Sequence, residues 1–126
     1  MQVKDKVIVV TGGASGIGKS LCERFAKEGA EAVVVSDIDQ AGIDATVADI
    51  SASTQALGIR TNVADENEVN DLVAQALEKF GQIDLFCSNA GVGMGENLNS
   101  PNNQWQMSWD INVMSHVYAA RHLVPR

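Results

Sequence analysis

Residues 11–18 read Thr11-Gly12-Gly13-Ala14-Ser15-Gly16-Ile17-Gly18, between the apolar run Val7-Ile8-Val9-Val10 and a helix-like stretch that ends at Gly29. A buried strand that delivers the chain into a tight glycine turn, with a helix opening at once, gathers unpaired N–H groups and a positive dipole end around one point. Such a point holds a diphosphate. Glycines alone say little, because turns use them everywhere. The strand before and the helix after make this loop specific. Its spacing, Gly12, Gly16 and Gly18, is Thr-Gly-x-x-x-Gly-x-Gly rather than Gly-x-Gly-x-x-Gly.

Asp37 closes the second apolar run, 19 residues after Gly18. A carboxylate there can accept hydrogen bonds from adenosine ribose hydroxyls and repels a 2′-phosphate, and Ser36 brings no positive charge to offset that. Loop and acid together predict a dinucleotide site that prefers NAD to NADP. The competing role for Asp37 is an Asx turn into the next helix, for which Asp39 is better placed. His116 and His122 are six residues apart and share no helix face, and no cysteine or carboxylate cluster joins them, so no metal site is expected. Trp105 and Trp109, at i and i+4, read as packing residues.

The elements that must position these residues follow a βαβ rhythm. Apolar, β-branched runs begin near Val7, Ala32, Ala56 and Ile83, at intervals of 25, 24 and 27 residues. Continuous rather than alternating apolar runs indicate parallel strands covered on both faces. The first helix carries Ile17, Leu21 and Phe25 on one face, with Gly29 placed to end it. The second, around Asp39 to Ile50, has Ile43, Val47 and Ile50 on one side but also Gly42, which blurs its boundaries. In the third, Asp65 caps the start with Glu68 completing a capping box. Val69, Leu72, Val73, Ala76, Leu77 and Phe80 form its core stripe, and Gly81 closes it. Gly91 to Pro101 is loop, where Gly93, Met94 and Gly95 suggest mobility rather than a chemical preference. The last helix, roughly Asn102 to Val124, carries two apolar stripes. Trp109, Val113, Val117, Ala120, Leu123 and Val124 form one, read as facing the sheet, with Asn112 at its edge; Met107, Ile111, Met114 and Tyr118 form the other.

The bulk numbers exclude several classes. With 9 basic and 16 acidic residues the formal net charge is −7, and no basic run can track a phosphate backbone, so nucleic acid and anionic membrane surfaces are not expected partners. No apolar stretch approaches the roughly 20 residues of a membrane span. Cys22 and Cys87 belong to no C-x-x-C pair and no signal segment precedes them, which points to a reduced cytoplasmic setting with both thiols buried. At 126 residues, residues 1–126 read as one α/β domain.

The loop Thr11 to Gly18, Asp37, the pair Asn62-Val63, Asn89-Ala90-Gly91 and Asn112 occur in the order and spacing of the N-terminal half of a short-chain dehydrogenase/reductase, which the whole chain resembles. The resemblance implies a Rossmann-like, doubly wound parallel sheet. Four strands in the order 3-2-1-4 would be present, truncated relative to the family's seven. It implies that Gly12, Ser15, Gly16, Ile17 and Gly18 line the adenosine diphosphate, that Asp37 holds the ribose, and that Asn62 and Val63 flank the adenine. Asn89, Ala90 and Gly91 would line the cleft. Asn62 departs from the family's aspartate; its amide oxygen can still accept from an adenine amino group, without charge. Asn112 resembles the family's catalytic asparagine, whose backbone carbonyl bends its helix and anchors a water.

The implied reaction is hydride transfer between NAD and a small-molecule alcohol or ketone, with proton exchange by the tyrosine of a Tyr-x-x-x-Lys pattern and a serine that orients the substrate oxygen. Tyr118 is the one tyrosine here and is followed four residues later by His122 rather than lysine. It reads as a packing residue, and the chain by itself is expected to be inactive. A homo-oligomer through the last helix is expected from the family. The alternative reading is a non-catalytic nucleotide-binding or interaction module, whose edge strand Leu85-Phe86-Cys87 is completed by another chain.

Overall fold

The computed structural model describes residues 1–93 and 95–125; Met94, assigned from the sequence to the mobile loop, and Arg126 lie outside the described residues. Four parallel strands, β1 (Val7–Thr11), β2 (Ala32–Asp37), β3 (Gln55–Arg60) and β4 (Leu85–Cys87), stand in the order β3-β2-β1-β4. This is an α/β Rossmann-like sheet. Helices α1 (Gly16–Lys27) and α2 (Gln40–Ile50) cover one face, and α3 (Glu66–Phe80) covers the other.

The alternation of side chains along a strand decides which face each residue serves. Ile8, Val10, Val33 and Val35 pack with Cys22 and Ala26 of α1 and Ile43 and Ile50 of α2. Val9, Val34 and Ile59 turn the other way, onto Leu72 and Ala76 of α3. Because both faces are covered, β1 and β2 are buried almost throughout, as continuous apolar runs require.

Two starting points shift. β3 begins one residue earlier than Ala56, at Gln55, whose N–H donates to Glu31 O (3.3 Å). β4 begins at Leu85 rather than Ile83, because Asp84 takes over the pairing before it. The Asp84 N–H donates to Val7 O (2.9 Å) and its Oδ2 accepts from Val7 N–H (2.8 Å). In α3, Asp65 Oδ1 accepts from the N–H groups of Asn67 (2.9 Å) and Glu68 (3.3 Å), and Gly81 ends the helix at φ +78°. The reciprocal capping box does not form. Glu68 Oε1 instead accepts from Asn62 N–H (3.1 Å), tying the helix to the end of β3.

The last helix departs most from its sequence reading. It is α4 (Asn102–Trp109), a π-helical turn over Asp110–Met114, and α5 (Ser115–Leu123). A π turn holds more residues per turn than an α-helix, so one helical wheel cannot describe both sides of it. The stripe assigned to the sheet is largely the outer one: Trp109 is 55% exposed and Val124 79%. Ile111, Tyr118, Ala119 and Leu123 pack inward, with Val63 and Val69. Tyr118 is thus a packing residue, crossed by the Arg121 guanidinium 5.9 Å from its ring centre. Arg121 Nη1 also donates to both carboxylate oxygens of Glu66 (2.9 and 3.1 Å), fastening α5 to α3. Of the two thiols Cys22 is buried and Cys87 only half-buried, a correction to the expectation that both are enclosed.

Candidate functional site

The C-terminal ends of the strands open into a cavity of about 420 Å³. Gly12, Ser15, Ile17 and Gly18 line it from the glycine loop, Asp37 from β2, Asn62 and Val63 from beyond β3, and Asn89, Ala90 and Gly91 from beyond β4. Ten of the residues named from the sequence therefore converge on one space. Two stand outside its lining: Gly16, which shapes the loop, and Asn112, which holds the rim.

The glycine turn is built for close approach. Gly16 adopts φ +55° with nothing within 4 Å of where a Cβ would stand, which leaves the backbone there open. At Gly18 a Cβ would fall 2.0 Å from Gly12 O, so helix and turn pack here backbone to backbone. Ser15 begins α1 at φ −157° and ψ 170° without a side-chain cap, and no acidic residue occupies the first turn. The helix start keeps its N–H groups and positive dipole end for an incoming anion.

Thr11 locks this turn to the end of β4. Its Oγ1 accepts from the N–H groups of Asn89 (3.0 Å) and Ala90 (3.1 Å), and Asn89 Nδ2 donates to Thr11 O (3.1 Å). The Asn89-Ala90-Gly91 segment is thereby fixed beside the glycine loop. Beyond it, Asn112 clasps Val92 through two hydrogen bonds: Val92 N–H donates to Asn112 Oδ1 (2.9 Å) and Asn112 Nδ2 donates to Val92 O (2.8 Å). Asn112 reaches the cavity rim through this clasp within the π turn, and not through an inward Trp109 stripe.

Asp37 takes the Asx-turn role that the sequence reading gave to Asp39, and it also reaches the glycine loop. Its Oδ1 accepts from the N–H groups of Ile38 (2.7 Å) and Asp39 (3.2 Å), an Asx-type turn, while Oδ2 accepts from Ala14 N–H of the glycine loop (3.1 Å). Asp39 caps α2, accepting from Gly42 N–H. A carboxylate oxygen has about two lone-pair directions. Oδ1 is therefore filled, and Oδ2 keeps one direction for a further donor.

A family profile described as short chain dehydrogenase matches residues 6–126. The chain belongs to this family. It is 38% identical over 97% of its length to a CLA biosynthesis dehydrogenase/reductase of Lactiplantibacillus plantarum, covering 43% of that protein. It is 35% identical over its whole length to a 1-deoxy-11-beta-hydroxypentalenate dehydrogenase of Streptomyces exfoliatus, covering 47% of it. Among solved structures, a short chain dehydrogenase/reductase from Burkholderia phymatum in complex with NAD superposes with a TM-score of 0.94 at 35% identity, over 99% of this chain and 45% of that one. A 3-ketoacyl-(acyl-carrier-protein) reductase from Brucella melitensis complexed with NADH gives 0.90 at 32% identity, over 98% of this chain and 50% of the other. This short-chain dehydrogenase chain thus spans about half the length of the relatives it matches.

Four lining residues escaped the sequence reading: Ile38, Thr61, Val92 and Ile111. Each adjoins a residue that was named, and that adjacency is the signal. Ile38, 55% exposed directly after Asp37, offers an apolar surface at the Asp37 end of the cavity. Thr61 is buried, and its Oγ1 has no partner among the described residues. At the opposite edge of the sheet Ser88 Oγ hydrogen-bonds His116 Nδ1, linking the end of β4 to α5.

The residues present fit a nicotinamide dinucleotide. The open glycine turn, the uncapped helix start and the spare acceptor direction on Asp37 supply, in order, room, charge complementarity and a polar partner.

Proposed function

We propose that this chain is the nucleotide-binding portion of an NAD-dependent oxidoreductase acting between an alcohol and a ketone. The observation that carries this reading is the convergence of the glycine turn, Asp37, Asn62-Val63 and Asn89-Ala90-Gly91 on one cavity. The N–H groups at the start of α1 hold the diphosphate, with Gly12, Ser15, Gly16, Ile17 and Gly18 shaping its bed. Asp37 Oδ2 accepts from a ribose hydroxyl. Asn62 and Val63, with Ile38, flank the adenine; Asn62 Oδ1 already accepts from Ala64 N–H (3.0 Å), which fixes the orientation of its amide.

A bound nicotinamide supplies the hydride donor or acceptor. The protein's part is to hold that ring toward the cleft walled by Asn89, Ala90, Gly91 and Val92. Asn112 acts here as a positioning residue, because its two bonds to Val92 set the rim. Tyr118 packs with the cluster of Val63, Val69 and Ala119 and is not among the cavity's lining, which supports the proposal that the chain alone binds nucleotide without turnover. The outward stripe of Trp105, Trp109 and Val113 is proposed as the surface through which like subunits pair, and two unpaired thiols suit a cytoplasmic setting.

Preference for NAD over NADP rests on Asp37, since a 2′-phosphate would meet a carboxylate already held by three backbone N–H groups. Isothermal titration of the purified chain is expected to show NAD binding more tightly than NADP. Asp37→Ala is expected to weaken NAD by about 1–3 kcal/mol, the range for a charged hydrogen-bonded contact, and to narrow the gap between the two nucleotides. A wild-type chain that takes NADP in preference to NAD overturns the assignment.

A further inference from the structure

We propose that Thr46 and Gly42, on α2 and outside the cavity lining, are positioning residues for diphosphate binding: they mount the glycine loop from behind. This rests on the proposed nucleotide site and extends it to a second helix.

The loop has two sides. Gly12, Ser15, Ile17 and Gly18 face the cavity, whereas Gly13 and Ala14 turn toward the corner between β2 and α2. Polar attachments to that rear side come from the corner. Gly13 N–H donates to Ser36 O (2.9 Å), and Ala14 N–H donates to Asp37 Oδ2 (3.1 Å). Gly13 O accepts from Thr46 Oγ1 (3.0 Å).

Thr46 is unusual for a helical threonine. Such a hydroxyl ordinarily bonds back to a carbonyl three or four residues earlier on its own helix. Fully buried, this one instead reaches 33 residues along the chain to the loop. A buried hydroxyl needs a partner, and Gly13 O is the partner it has.

Gly42 answers the same geometry. A Cβ at this position would stand 2.6 Å from Ala14 Cβ and 2.7 Å from Asp39 Oδ2. The glycine that looks misplaced in a helix lets α2 seat against the loop. Because glycine-rich backbone has more conformations to lose than any other, a turn already ordered by its mount binds an anion without ordering itself at that moment.

The test measures the purified chain and its variants against ADP by isothermal titration and against adenosine by ligand-observed NMR. Thr46→Val is expected to weaken ADP about tenfold and adenosine far less, because the diphosphate lies on the loop whereas the ribose meets it only through Asp37, which Ala14 N–H holds. Thr46→Ser, which keeps the hydroxyl, is expected to recover most of the loss. Gly42→Ala is expected to weaken ADP similarly, and adding Ala14→Gly to it should recover part of the binding, since it removes the opposing methyl group at the cost of one more glycine in the turn, while the Asp39 carboxylate can swing aside. A helix that is merely weakened would not be repaired from the loop. Faster hydrogen exchange at the Gly13 and Ala14 amides of Thr46→Val supplies a readout that needs no ligand. Should Thr46→Val not fold, the Gly42→Ala and Ala14→Gly pair carries the same test. Undiminished ADP binding in the variants, an equal loss of adenosine, or no rescue by Ala14→Gly overturns the inference while leaving the nucleotide reading intact. A wild-type chain that binds no ADP overturns both.

Discussion

The β1–β2 side of the molecule and the β4–last-helix side use the same kinds of residue to different ends. Val7 to Val10 and Ala32 to Val35 are enclosed between α1 and α2 on one face and α3 on the other. In β4 no residue is buried, and along α4 and the π turn none is buried either. What separates the two sides is place in the sheet: β1 and β2 have a strand on either side and helices on both faces and become scaffold, whereas the edge strand β4 packs Leu85 and Cys87 on one face and Phe86 on the other and still stays half-exposed. The glycine turn and Asp37 sit at the end of the enclosed side, where a rigid sheet can hold them. Asn112 sits on the open side, where position comes from individual hydrogen bonds.

The contrast can be broken at its strongest point. Leu72→Ala removes a fully buried side chain from between α3 and the sheet, and is expected to cost about 2–5 kcal/mol in urea denaturation. A loss below about 1 kcal/mol would mean that the enclosed side is packed less tightly than its burial indicates. Gly18→Ala comes next. With a methyl group driven toward Gly12 O, titration is expected to show NAD weakened by about 3 kcal/mol, roughly 100-fold, because backbone cannot step aside as a side chain tip can.

The two thiols sharpen the comparison by pH. Burial pushes the Cys22 thiol up from 9.0 to about 12, with smaller contributions from Cys87 and Glu23, and raises Cys87 for the same first reason. Below pH 9.0 Cys22 is a neutral thiol folded or unfolded, and its contribution to stability is complete. As pH rises toward 12 the unfolded chain gains a thiolate that the folded chain refuses, so stability falls across that window. Unfolding followed by circular dichroism should show this fall in the wild type and a smaller one in Cys22→Ala. Trp109→Ala should have the smallest effect: at an exposed site of the monomer, about 0.5 kcal/mol or less is expected.

Sequence reading reached furthest where physics is local. The Gly12-to-Gly18 turn, the caps at Asp39 and Asp65, the Gly81 terminus and the strand order arise from short spacings and from a family resemblance spread over the whole chain. It failed where a residue bonds outside its own neighbourhood. Glu68 passes over Asp65 to reach Asn62 N–H, and Thr46 leaves its helix for Gly13 O. Neither partner is visible at a fixed spacing. In the last helix the grouping held and the face was inverted: Trp109, Val113, Ala120 and Val124 of the stripe read inward are exposed, while Ile111 and Tyr118 pack inward, because the side that meets the molecule is set by Val63 and Val69, far away along the chain. Gly42 stood out as an anomaly without an explanation, because the explanation is a methyl group 28 residues earlier.

A strand as brief as β4 has too few rungs to fix its own alignment, yet it is pinned at both extremities, by the Asp84 carboxylate on Val7 N–H and by the Thr11 hydroxyl on Asn89 and Ala90 N–H. Sliding by one residue would undo both pins at once and swing Phe86 to the opposite side of the sheet. Two polar side chains thus index the cleft wall against the glycine turn like dowels in a joint, so its alignment survives even where hydrophobic cover is thin.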